Sequence, residues 1–348
     1  MKIIDAHLHC SGREDSAGVL RALDEAGIER GVLLAPFLSP GHALGDAASL
    51  RRGNAHLARL VRGHEDRLTG FAVVDPRDDH AAQDLRHAIE DLGLRGVKMV
   101  PTGWYPFEER ARGVYEVASS LRLPVLFHSG IFIDGRSGRF CRPVYFEALR
   151  DHPGARVALA HMGWPWTDEA LAVALIDRIH QVPPERAQFR LDISFGPPPS
   201  YRRDVLARML EVLGPGSLQF GSDCFLPCSG AHLRERRDWV QDLMDLLDLD
   251  DAAREQIWWG TAAAWLGLDA SGRLAAGSGS GSEASGTAAG ARSGAESGAE
   301  SGAESSAEGQ VLRQAAAAPP PAGDTESTGL AQRLRAASPG WGWIPRCC

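Results

Sequence analysis

Two histidines stand two residues apart in the run Asp5-Ala6-His7-Leu8-His9 near the start of the chain. In an extended strand, residues i and i+2 point to the same face. His7 and His9 then project together, at a spacing that can chelate one cation. Three more residues have matching chemistry: His128 in Leu-Phe-His-Ser-Gly, His161 in Ala-His-Met-Gly and Asp223 in Phe-Gly-Ser-Asp. Imidazole nitrogens with a carboxylate oxygen form a mixed donor set that suits Zn²⁺ and other borderline divalent ions. A lone His-x-His is a weak signal, and a single histidine at a strand end is more often a satisfied polar core residue. The combination is more specific. All five residues end strand-like runs, whereas the other histidines fall in helical or loop segments.

Softer candidates follow the same strand ends. Lys98 lies in Arg-Gly-Val-Lys-Met-Val, where Val97 and Met99 share one face and Lys98 faces the other way, inward. It can contact a substrate carboxylate or sit in a structural ion pair. Trp104, Tyr105, Trp164 and Trp166 come after such runs and are expected at a pocket mouth, where aromatic walls suit a ring-bearing ligand. Packing of long loops explains them equally well. Arg136 and Arg139, in the loop after His128, can hold a carboxylate bidentately or be solvated loop charges. Cys10, Cys224 and Cys228 read as small packing residues. There is no Gly-x-Ser-x-Gly elbow for a serine nucleophile.

The elements that must position these groups alternate regularly. Short β-branched runs are expected at 2–7, 31–35, 68–74, 96–100, 124–127, 156–160, 189–193 and 218–221. Helical patterns lie between them at 18–26, 56–62, 81–92, 108–121, 144–151, 169–181, 202–213 and 233–247, with a closing helix at 252–266. Repeated strand–helix units of this length predict a single (β/α)8 TIM barrel rather than an open doubly wound sheet. No Gly-x-Gly-x-x-Gly follows the first strand, and there is no P-loop. In such a barrel, chemistry collects at the C-terminal ends of the strands, where the histidines and Asp223 fall.

The chain of 348 residues carries a formal net charge of −8, with 44% hydrophobic and 24% charged residues. An acidic balance without a basic tract argues against nucleic acid as a partner. No apolar run approaches the roughly 20 residues that a bilayer requires. After Asp269 the composition turns to Gly, Ser, Ala and Glu, with Ser-Gly-Ala-Glu repeating from Ser293, Ser297 and Ser301. The expected organisation is therefore a barrel over 1–268 and a disordered, low-complexity C-terminal tail over 269–348. Of 6 cysteines, Cys347 and Cys348 end the chain, which leaves no disulfide framework and suggests a cytoplasmic protein. A small-molecule substrate is the expected partner. The oligomeric state is open, a homo-oligomer included.

With Asp-x-His-x-His on the first strand, His on the fifth, His-x-Gly on the sixth and Gly-Ser-Asp on the eighth, the sequence resembles the amidohydrolase superfamily. It is most similar to the amidohydrolase-related group, which includes metal-dependent hydrolases, lactonases and non-oxidative decarboxylases. The resemblance spans 1–268. It implies one divalent metal, zinc with manganese as the alternative, held by His7, His9, His128 and Asp223. Asp223 would be a ligand or take a proton from activated water, and His161 would ligate or polarise the substrate. A lysine at the position of Lys98 is carbamylated in binuclear relatives, where it bridges two metals. Gly260-Thr261-Ala262 stands where relatives often have Gly-Asn-Ala. The implied activity is metal-dependent hydrolysis of an ester, lactone or amide. Non-oxidative decarboxylation of an aromatic or unsaturated acid is the alternative. A barrel that binds metal without catalysis is a third reading, weakened by the complete residue set.

Overall fold

The computed structural model describes residues 1–194 and 196–273. Its main sheet has seven long parallel strands: β1 (Ile4–His9), β2 (Arg30–Leu34), β3 (Leu68–Val73), β4 (Gly96–Met99), β5 (Pro124–Phe127), β6 (Arg156–Leu159) and β7 (Phe189–Asp192). The eighth position is split into β8 (Leu218–Gln219), paired with β7, and β9 (Cys224–Phe225), paired with β1. Between the two pieces, Ala6 N–H donates to the Phe220 carbonyl at 3.0 Å, and Asp223 N–H donates to the His7 carbonyl at 2.9 Å. The run 218–225 thus bonds to both edges and closes a TIM barrel, as the strand–helix rhythm predicts.

Strand alternation divides the interior from the outer layer. Ile4, Ala6, Val32, Leu34, Phe71, Leu126, Ala158 and Ala160 form one buried cluster with Trp265. Trp265 belongs to the last helix, Thr261–Leu266, and its ring meets Phe71 at a centroid distance of 5.1 Å. Neighbouring strand residues such as Leu33, Val97, Val125, Val157 and Leu191 join the larger cluster that packs against the helices. Each fully buried aliphatic side chain contributes roughly 1.5–3 kcal/mol by leaving water.

Several elements differ from the sequence expectation. The first strand starts later and runs on to His9, which keeps both histidines on it. The helix expected at 56–62 begins at Ala47, because the Asp46 side chain caps it by accepting the Ser49 N–H at 3.1 Å. A hairpin of Leu38–Ser39 with His42–Ala43 precedes it, and segment 144–151 winds as a 3₁₀ helix over Pro143–Asp151. The expected tail also starts too early. Residues 269–273 form a turn in which the Asp269 carboxylate accepts the N–H groups of Ser271 and Arg273. The Gly272 carbonyl accepts from Arg30 at 2.9 Å, one of the acceptors this buried guanidinium requires. The rest of the expected tail, 274–348, lies outside the described residues. No helix among those described is long and apolar enough to cross a membrane.

Candidate metal and catalytic site

The pairing of β1 with β2 shifts register between Asp5 and Leu8. His7 falls within that bulge and His9 follows it, and the two side chains project together. Their ring centroids are 4.9 Å apart and their Nε2 atoms 3.1 Å apart. Across the break in the eighth strand, Asp223 Oδ1 lies 3.0 Å from His9 Nε2 and 3.3 Å from His7 Nε2. Three elements hold this convergence. The His9 ring stacks on Phe225 at 4.5 Å. Asp223 adopts a left-handed backbone at φ 57, which costs an L-residue of order 1–3 kcal/mol and aims its carboxylate at the histidines. Buried Asp5 accepts the N–H groups of His7 and Ser222, tying the first strand to the eighth. Burial pushes the Asp5 carboxyl up to about 7.

Lys98 enters the same space. It is fully buried, with Nζ 3.3 Å from His7 Nε2, and the inward orientation expected from Val97 and Met99 holds. Burial lowers its amine to about 8, against the pull of Asp223 and Asp192. His7 and His128 are driven well below the ordinary histidine value by burial, and His9 and His161 are lowered by the same cause. Burial thus disfavours the charged imidazolium in each, and an uncharged ring offers a lone pair to a cation. Burial alone would raise Asp223, but the facing imidazoles of His7, His161 and His9 outweigh it and keep this carboxylate ionised.

His7, His9 and Asp223 form the group able to hold a cation among the described residues. Their chemistry fits one. Donors at zinc-ligand distances of about 2.0–2.2 Å lie roughly 3.3–3.6 Å from each other in a tetrahedral shell. The observed separations of 3.0–3.3 Å need only a small adjustment. His7 also has an outer partner typical of metal-bound histidine, since its Nδ1 meets Asp192 Oδ2 at 2.6 Å.

His128 stands apart from this group, contrary to the four-ligand expectation. Its Nε2 donates to the Ile131 carbonyl at 2.8 Å, and its ring sits 5.0 Å from that of His161. His161 is closer, with its ring 5.5 Å from His7. It too is left-handed, at φ 61, and its Nδ1 lies 2.9 Å from Ser194 Oγ. Trp104, expected at the pocket mouth, is 1% exposed within the main core, and its indole N–H has no hydrogen-bond partner among the described residues. Trp164 is half-buried, and its carbonyl accepts the Ile131 N–H at 3.0 Å. Arg136 and Arg139 are exposed, and the Arg139 guanidinium lies over Phe140 at 4.8 Å. The buried cation of the site is Lys98. Sequence reasoning missed Asp192 and Ser194. A carboxylate at the end of the strand-like run Phe189-Arg-Leu-Asp192 was the available signal.

A parallel barrel with a histidine–aspartate cluster at the C-terminal ends of its strands defines a class of metal-site barrel enzymes. The chain belongs to the amidohydrolase family, whose profile matches residues 4–268, and it is an enzyme of that family. No curated protein sequence matches it. Among solved structures, it is similar to an uncharacterised TIM-barrel protein from Bordetella bronchiseptica, at 20% identity and TM-score 0.56, over 77% of this chain and 100% of that one. It is also similar to 2,6-dihydroxybenzoate decarboxylase from Rhizobium, at 18% identity and TM-score 0.58, over 76% and 98%. A third is a Pseudomonas putida protein assigned as a 2-pyrone-4,6-dicarboxylic acid hydrolase, at 18% identity and TM-score 0.52, over 76% and 97%. At these identities the likeness establishes the fold.

Proposed function

We propose that the protein is a metal-dependent hydrolase of a small ester, lactone or amide that carries a carboxylate or an aromatic ring. The observation that carries this reading is the place of Asp223. Its Oδ1 lies 3.0 Å from His9 Nε2, and its side chain is 20% exposed, against 0% for His7 and 7% for His9. An ionised carboxylate on the open side of a buried donor set suits a general base. His7, His9 and Asp223 would hold one divalent ion, zinc or manganese. When bound, that ion supplies Lewis acidity and favours a water-derived nucleophile at neutral pH. Asp223 takes a proton from the attacking water and returns it to the leaving group. His161, its Nδ1 facing Ser194, would offer its Nε2 lone pair as a further ligand. Lys98 holds the substrate carboxylate by charge.

Lys98 also favours the second reading, non-oxidative decarboxylation. A fully buried ammonium 3.3 Å from a ligand nitrogen could seat the carboxylate that leaves as carbon dioxide. The Rhizobium relative is a decarboxylase by its name. Zinc- or manganese-loaded protein should be offered a panel of lactones, esters, amides and carboxylic acids, scored separately for acid production and CO₂ release. Acid without CO₂ is the expected result. CO₂ release from the acids alone would replace hydrolysis by decarboxylation. No turnover of any member would overturn both substrate readings.

A further inference from the structure

We propose that Asp192 is the positioning residue for two histidines of the site, His7 directly and His161 through Ser194. This rests on the reading of His7 as a metal ligand. Asp192 ends β7 and is completely buried. A carboxylate in such a place requires strong donors, and each one it has leads toward the site. Its Oδ2 accepts from His7 Nδ1 at 2.6 Å. Its Oδ1 accepts the Ser194 N–H at 2.6 Å. Held by that bond, Ser194 Oγ lies 2.9 Å from His161 Nδ1, where it is placed to accept the ring proton.

One carboxylate therefore fixes two tautomers. Both rings carry their proton on Nδ1, and both leave the Nε2 lone pair available to the site. For His7 that lone pair faces His9 Nε2 and Asp223 Oδ1. The packing is built for this contact. A Cβ added at Gly221 would lie 2.7 Å from His7 Cβ and 2.9 Å from Asp192 Oδ1, and one added at Gly196 would lie 2.4 Å from His161 Cβ. A side chain at either glycine would push the histidines off their partners.

The test combines zinc affinity, by chelator competition, with the histidine tautomers read from long-range ¹H–¹⁵N spectra of the metal-free protein. The wild type should show His7 and His161 each as a single Nδ1–H tautomer. Asp192→Asn should release both and raise the zinc Kd by about 10–100-fold, the usual cost of losing an outer partner. Ser194→Ala should release His161 alone and leave the zinc Kd within about twofold, because the His7–Asp192 bond survives. Unchanged tautomers and affinity in Asp192→Asn would overturn the proposal. If that variant does not fold, a His161 that keeps its tautomer in Ser194→Ala overturns it instead. A wild type that binds no zinc would defeat the ligand reading of His7, while the tautomers would still judge the positioning role.

Discussion

The two histidines of the first strand and the two that follow the fifth and sixth strands start from the same chemistry and reach different environments. His7 and His9 share one strand, and their Nε2 atoms meet Asp223 within 3.0–3.3 Å. His128 and His161 sit just beyond their strands, on backbone that has begun to turn. One donates to the Ile131 carbonyl and the other bonds Ser194. The difference teaches that a histidine at a strand end is only a candidate. Its function depends on where its second nitrogen is anchored. His7 is anchored from behind by a carboxylate, which frees its front nitrogen. His128 spends its Nε2 on a loop carbonyl.

That contrast can be broken by graded substitutions. The largest effect is expected for His7→Ala. The zinc Kd should rise more than ~100-fold, since losing a ligand costs more than losing an outer partner, and turnover should disappear while the melting curve persists. Tight zinc binding by this variant would remove His7 from the ligand set. Asp223→Asn comes next, with kcat lowered by ~10²–10⁴, the range for a lost general base. Retention of most activity would end its proton role. Lys98→Met should raise KM for carboxylate substrates by ~10–100-fold, because a hydrogen bond to a charged group contributes about 1.5–3 kcal/mol. A neutral substrate analogue should be unaffected, and equal losses on both would reassign Lys98 to structure. For His128→Asn the zinc Kd should move by less than ~10-fold, below the cost of an outer partner at its upper range. A loss as large as that of His7→Ala would restore the four-ligand set. Arg139→Ala, at an exposed position, should change KM by about twofold at most, as solvated charges contribute little.

Much of this arrangement is legible in the sequence. Alternation of β-branched and helical runs locates the barrel strands to within a few residues, because burial of one face imposes a period on local sequence. Pro124–Phe127 falls where its apolar run predicts. Lys98 is inward because Val97 and Met99 are outward. The misses have equally local causes. The second helix starts early because Asp46 caps it, and a cap does not register as hydrophobic periodicity. Trp104 is buried rather than rim-lining because a loop residue's exposure depends on what the loop packs against, which no spacing rule encodes.

By itself the sequence determined the class of fold and the side-by-side projection of His7 and His9, and it offered five residues as candidates for a metal site. Each follows from periodicity or from alternation along one strand. Only the tertiary structure decided which distant atoms meet. Asp223 reaches the histidines because the eighth strand breaks and its backbone turns left-handed at φ 57. Asp192 reaches His7, 185 residues away in the chain, because closing the barrel brings the seventh strand toward the first. Such contacts depend on barrel closure and on strained turns held by the surrounding packing, and neither leaves a period in the sequence.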